Sequence, residues 1–166
     1  MTLVFILLGA IGLSVGSYIG LRHINVSVST APPGTFTGTG SDLGRRAYAM
    51  CMACHGAEGH GIAGYTPGLV GSTWLTGDPR GVILITLHGL DSSREPGAMY
   101  HNARMNGFRA ALTDAEVAAL LTWLREQWGH HASAINAAQV NQLRSLHERR
   151  LIPWTPSELH TALQAP

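Results

Sequence analysis

Two cysteines and a histidine constrain this chain more than anything else in it. The only cysteines in the sequence stand three positions apart, in Cys51-Met52-Ala53-Cys54-His55. A secreted domain stapled by disulfides usually carries more cysteines, spread along the chain. Two so close together point to a redox pair, half of a zinc site, or a haem attachment. A thioredoxin-type pair wants a βαβ setting, and no segment here alternates like a strand between turn signals. A zinc ribbon needs a second ligand pair at matching spacing, which is absent. The pattern C-x-x-C-H reads as haem attachment, and the chemistry needs this spacing. Two thiols on one helical turn can add to the two vinyl groups on one porphyrin edge. The next residue, His55, then projects its imidazole to the iron. One covalently bound haem c is therefore the expected cofactor.

The flanking sequence sets the organisation. Leu3 to Leu21 is an apolar run without charge, closed by Arg22 and His23. At about 1.5 Å per residue it comes close to spanning a ~30 Å hydrocarbon core. A cleaved signal would have basic residues first and a shorter apolar stretch, about 7–15 residues. Residues 1–23 are therefore read as a membrane anchor, with a cleaved signal as the rival, and either would export the rest of the chain. Residues 24–40, rich in Ser, Thr, Gly and Pro, read as a flexible linker. The remainder divides into a domain over 41–129 and a C-terminal helical extension over 130–166.

Helix signals are plentiful and the expected fold class is all-α with long loops. Ser41 can cap a helix running into Cys51. Asp78-Pro79 opens a second helix, over Val82, Ile83, Ile85 and Leu87, and Gly89 stops it. Thr113-Asp114-Ala115-Glu116 is a capping box ahead of Val117, Leu120, Leu121 and Leu124. A helix is expected at 137–150, with Val140, Leu143 and Leu146–His147 inward. Thr155-Pro156-Ser157-Glu158 is a second capping box before a short terminal helix. His130-His131 and Arg149-Arg150 read as solvated helix ends.

Eleven basic residues, all arginine, face ten acidic ones. This neutral balance gives no hint of nucleic acid, which wants a basic stripe. There is also no carboxylate pair, nucleophile triad or phosphate loop, so an enzyme is not expected. Haem iron bound by one histidine takes a second ligand or leaves the place open. Met99, Met105, His88 and His101 are the candidates. A loop just before the last core helix would supply it, and Met99 and Met105 both qualify.

Residues 41–129 resemble a class I c-type cytochrome, of the kind found as haem subunits of bacterial membrane-bound or periplasmic dehydrogenases and oxidases. The matching stretches run in order: Gly44 and Tyr48 ahead of Cys51-Met-Ala-Cys-His-Gly56, Gly59-His60-Gly61, and Thr66-Pro67-Gly68-Leu69-Val70-Gly71-Ser72. Trp74-Leu75, Leu87-His88-Gly89-Leu90, Met105-Asn106-Gly107-Phe108 and Leu121-Thr122-Trp123-Leu124-Arg125 complete the set. The resemblance implies a helical domain around one haem. It implies thioethers at Cys51 and Cys54, with His55 and Met105 as iron ligands. The Pro67 carbonyl would accept the other ring N–H of His55. Leu69 and Trp74 would contact the haem, Trp74 through a propionate. Gly44 would let the first helix cross the helix at 114–128 closely, near Tyr48 and Trp123. The residue after the ligand methionine is usually proline in such proteins, and here it is Asn106.

The function so implied is transfer of single electrons between redox proteins such as a dehydrogenase, an oxidase or another cytochrome. The setting is a bacterial inner membrane with the haem domain in the periplasm. A small-gas sensor and a peroxidase-like enzyme are the alternatives. The sixth ligand separates them.

Overall fold

The computed structural model describes residues 40–164 apart from 96, 98, 99, 101 and 102. The apolar run at 3–21, the linker before residue 40, and the ligand candidates Met99 and His101 lie outside the described residues. No helix among the described residues is long and apolar enough to cross a membrane.

Seven α-helices and two short strands, with three single 3-10 turns between them, are found among the described residues. They are α1 (Gly40–Ala47), α2 (Met52–His55), α3 (Thr73–Thr76), α4 (Pro79–His88), β1 (Gly89–Asp91), β2 (Arg104–Asn106), α5 (Asp114–Leu124), α6 (Ala137–Leu146) and α7 (Pro156–Gln164). Ser41 lies inside α1, not at a cap.

Helices α1 and α5 cross closely, and Gly44 makes the crossing possible. A Cβ at Gly44 would fall 2.4 Å from the carbonyl oxygen of Ala119 and 2.5 Å from Cβ of Trp123. Nothing larger than hydrogen fits there. Beside the crossing the rings of Tyr48 and Trp123 pack with centroids 5.2 Å apart. Helix α4 is the hub, with every residue from Gly81 to His88 buried. The Asp78 carboxylate caps its first turn, Pro79 opens it, and Gly89 closes it at φ +87°, a conformation glycine adopts without strain. In α5 the capping box is fully formed. Glu116 is 2% exposed, and Oε2 accepts from both the Thr113 N–H at 2.8 Å and the Thr113 hydroxyl at 2.7 Å. That is how a carboxylate is tolerated at the edge of an apolar core.

Residues 130–164 pack back onto α4 and α5. Val140 and Leu159 are completely buried and belong to the same core cluster as Ile83, Leu87 and Leu121. Helix α6 ends at Leu146 instead of 150, because His147 leaves helical geometry at φ −111°, ψ 27°. Leu146, expected inward, is exposed.

Three further expectations need correction. The fold is mostly helical, not all-α: β1 and β2 form an antiparallel ribbon with Leu90 opposite Met105. Strands of three residues are too short to show alternation, so periodicity cannot reveal them. His130 is not a solvated helix end. It is buried, and its Nε2 accepts from the Gly71 N–H at 3.0 Å. Arg150 is not solvated either: its guanidinium lies 3.6 Å over the Trp154 ring and 2.6 Å from the Glu158 carboxylate.

Candidate haem site

The C-x-x-C-H segment forms its own compact unit. The Cys51 N–H donates to the Tyr48 carbonyl at 2.8 Å, and the His55 N–H donates to the Cys51 carbonyl at 2.9 Å. One helical turn thus carries both thiols and the imidazole. Gly56 ends the turn at φ +74°, and the Tyr48 hydroxyl donates to the Gly56 carbonyl at 2.5 Å, tying the unit to the α1–α5 crossing.

A glycine-rich loop folds against this turn. The Gly61 N–H donates to the His55 carbonyl at 2.9 Å, and the Leu69 N–H donates to the Gly59 carbonyl at 2.7 Å. The approach is close: a Cβ at Gly61 would fall 2.3 Å from the Thr66 carbonyl oxygen, and one at Gly59 would run into the Trp128 ring. The loop brings the Pro67 carbonyl oxygen to 3.0 Å from His55 Nδ1. With Nδ1–H donating there, the lone pair of a neutral imidazole sits on Nε2, which is the arrangement a metal ligand needs. Burial lowers the pKa of His55, opposed by the bond to Pro67. Burial and the neighbouring Cys54 push the Cys51 thiol up to about 11.

The opposite part of the site comes from the ribbon. Met105 sits on β2, and the chain after it is fastened to α4. The Phe108 and Arg109 N–H groups donate to the Thr86 and Leu87 carbonyls, at 2.8 and 3.1 Å. Gly107 allows this, since a Cβ there would fall 2.5 Å from the Leu87 oxygen. Cys51, Cys54, His55 and Pro67 line one cleft, of about 360 Å³, together with Leu90, Met105 and Phe108.

Not every expected residue joins the cleft. Leu69 packs against the core cluster, and the Trp74 ring packs against His160 with centroids 5.2 Å apart. Neither lines the cleft. His88 lines a separate hollow with Arg104 and Arg109, and its Nδ1 is 3.2 Å from the Arg150 carbonyl. Met50, Tyr65 and Arg104, which the motif does not include, do line the cleft. Met50 directly precedes the first thiol, and that position in the sequence is the one signal that could have pointed to it.

Two thiols, an oriented imidazole and a thioether around an apolar slot suit a covalent haem. The cytochrome c family model matches residues 41–128, more than half of the sequence. This chain belongs to the cytochrome c family. Cytochromes c carry covalently attached haem c with its iron and transfer electrons, and the two cysteines required for attachment are present. The chain is also similar to cytochrome c-552 of Thermus thermophilus. The two are 31% identical over 116 residues, covering 66% of this chain and 88% of that one. It is 30% identical over 105 residues to the fructose dehydrogenase cytochrome subunit of Gluconobacter japonicus, covering 58% of this chain and 21% of the subunit. The cytochrome c subunit of the quinone alcohol dehydrogenase of Gluconobacter oxydans is 28% identical over 100 residues, covering 57% of this chain and 20% of the subunit.

Proposed function

We propose that this cytochrome passes single electrons between a membrane-associated dehydrogenase or oxidase and a second redox protein, through one haem ligated by His55 and Met105. The observation that carries this reading is that both thiols, the Pro67-bound imidazole and the Met105 side chain line one cleft. Cys51 and Cys54 hold the haem as thioethers, His55 binds its iron, and the Pro67 carbonyl fixes the ring and raises its basicity. The bound haem supplies a one-electron couple, and a sulfur ligand favours a high potential. Leu90 and Phe108, which line the same cleft, would limit the access of water to the bound haem. A gas sensor needs an open or labile sixth place, and Met105 speaks for a closed one.

Potentiometric titration of the purified holoprotein should give one single-electron Nernst wave. The ferrous protein should not bind carbon monoxide. Rapid carbon monoxide binding by the wild type would favour the sensor reading instead.

The haem-bearing body is assigned to 41–129, residues 130–166 being an extension of it, and residues 1–23 are proposed to anchor the protein at the inner membrane, with the haem in the periplasm. Intact mass of protein purified from membranes tests the anchor. The full chain plus one haem is expected, whereas a mature N-terminus near residue 17 or beyond would show cleavage.

A further inference from the structure

A ribbon of two three-residue strands has little stability of its own, yet β1 and β2 are read as carrying the sixth ligand. What steadies them is the C-terminal segment. The Trp154 N–H donates to the Gly89 carbonyl at 3.1 Å, and the Asp91 N–H donates to the Trp154 carbonyl at 2.7 Å. Trp154 thus joins β1 as a parallel bridge partner of Leu90, and Leu90 pairs on its other side with Met105. The side chain is 5% exposed and packs edge-on to His88 and His147. Beside it, Arg94 donates to the Pro153 carbonyl at 2.7 Å, and Ser157 donates to the Glu95 carboxylate through its N–H at 3.0 Å and through its hydroxyl.

The chain beyond Met105 is gripped as well. Arg144, on α6, donates to the Asp114 carboxylate at 2.6 Å, the Arg109 carbonyl at 2.6 Å and the Leu112 carbonyl at 2.9 Å. Its side chain is only 18% exposed, so water competes weakly for these bonds. Arg109 in turn donates to the Glu148 carbonyl. The segment 144–158 therefore holds the chain on both sides of Met105, from the strand paired with it to the start of α5. Neither Arg144 nor Trp154 lines the cleft.

We propose that Trp154 and Arg144 are positioning residues for Met105: by fastening the chain before and after it, they set how often its sulfur leaves the iron. This rests on the reading of Met105 as the sixth ligand. Loops opened locally are the least stable parts of a fold, and this clamp ties one down across large sequence separations.

Imidazole binding to the ferric holoprotein measures the effect. Imidazole can enter only when the sulfur is off, so its apparent affinity is scaled by the open fraction. Arg144→Met should raise that affinity about tenfold, the change expected from losing one or two net hydrogen bonds. Trp154→Ala keeps the backbone bonds to Gly89 and Asp91 but removes the ring packed against His88 and His147, and the cavity left beside β1 should raise the affinity as well. Ser157→Ala, on the exposed rim, should raise it less but in the same direction, and keeps the test open if Trp154→Ala does not accumulate. Val140→Ala is the control: this residue is fully buried on α6 and takes no part in these hydrogen bonds. It should lower the unfolding temperature and leave imidazole affinity unchanged. Unchanged affinity in the positioning variants, or an equal rise in Val140→Ala, would overturn the proposal. Met105→Ala separates the two readings. If it keeps both the sulfur-to-iron band and wild-type imidazole affinity, the ligand assignment itself is wrong, whatever the other variants do.

Discussion

Met105→Ala should abolish the weak sulfur-to-iron charge-transfer band of the ferric protein, open the ferrous protein to carbon monoxide, and lower the potential. The expected fall is on the order of 0.2 V, a part of the roughly 0.8 V span that axial ligation covers. The cause is local. Met105 lines the cleft from β2, in the same slot as His55. A thioether favours ferrous iron more than water or hydroxide does, so losing it favours the ferric state. Alanine keeps the backbone pairing with Leu90, so the ribbon should survive and the change should read as ligation, not unfolding. The cleft holds one other described methionine, Met50. It belongs to the segment that carries the thiols, and Met50→Ala should leave band and potential in place. If Met50→Ala or Met99→Ala removes the band while Met105→Ala retains it, the assignment fails.

How much of the fold and the site is legible in the sequence depends on whether the signal is local in the chain. Asp78-Pro79, Gly89 and the box from Thr113 to Glu116 announce helix ends through groups that act within four residues, and they mark both ends of α4 and the start of α5 to the residue; the far end of α5, expected at 128, comes at Leu124. The thiols and imidazole are legible for the same reason, since one turn presents all three. Features made by distant partners are invisible. Arg125 looks like an ordinary residue at a helix end. It is 2% exposed and donates to the Leu75 carbonyl at 2.5 Å, the Gly77 carbonyl at 3.1 Å and the Ser133 carbonyl at 2.8 Å. Those acceptors surface only once α3 and the 129–135 segment have folded around it. His130 and Arg150 depart from expectation for that reason too. Trp74 is placed at the haem by resemblance alone, and its packing on α7 depends on a C-terminal helix to which the resemblance does not extend.

Removing the thiols should have the largest effect of all, and unequally. Cys54 is exposed, whereas Cys51 is half-buried and packs against the core cluster. Cys54→Ala should cost one thioether and little packing, so some haem remains held through Cys51. Cys51→Ala loses a thioether and also leaves a gap beside the core, which carries its own penalty. Its holoprotein yield should be the lower of the two. In the double variant Cys51→Ala/Cys54→Ala, haem should extract into acid acetone and the polypeptide mass should carry no haem. Linkage sets the stability cost. A cofactor that binds only the native state at a thousand times its dissociation constant contributes ~4 kcal/mol, and a covalent one cannot dissociate at all. The slot from Cys51 to Phe108 would lose the apolar surface that fills it, so cooperative unfolding should move to markedly lower temperature or disappear. Far-ultraviolet circular dichroism and mass spectrometry on the three variants read both effects. Covalent haem in the double variant, or wild-type unfolding without it, would contradict the site as built from these residues.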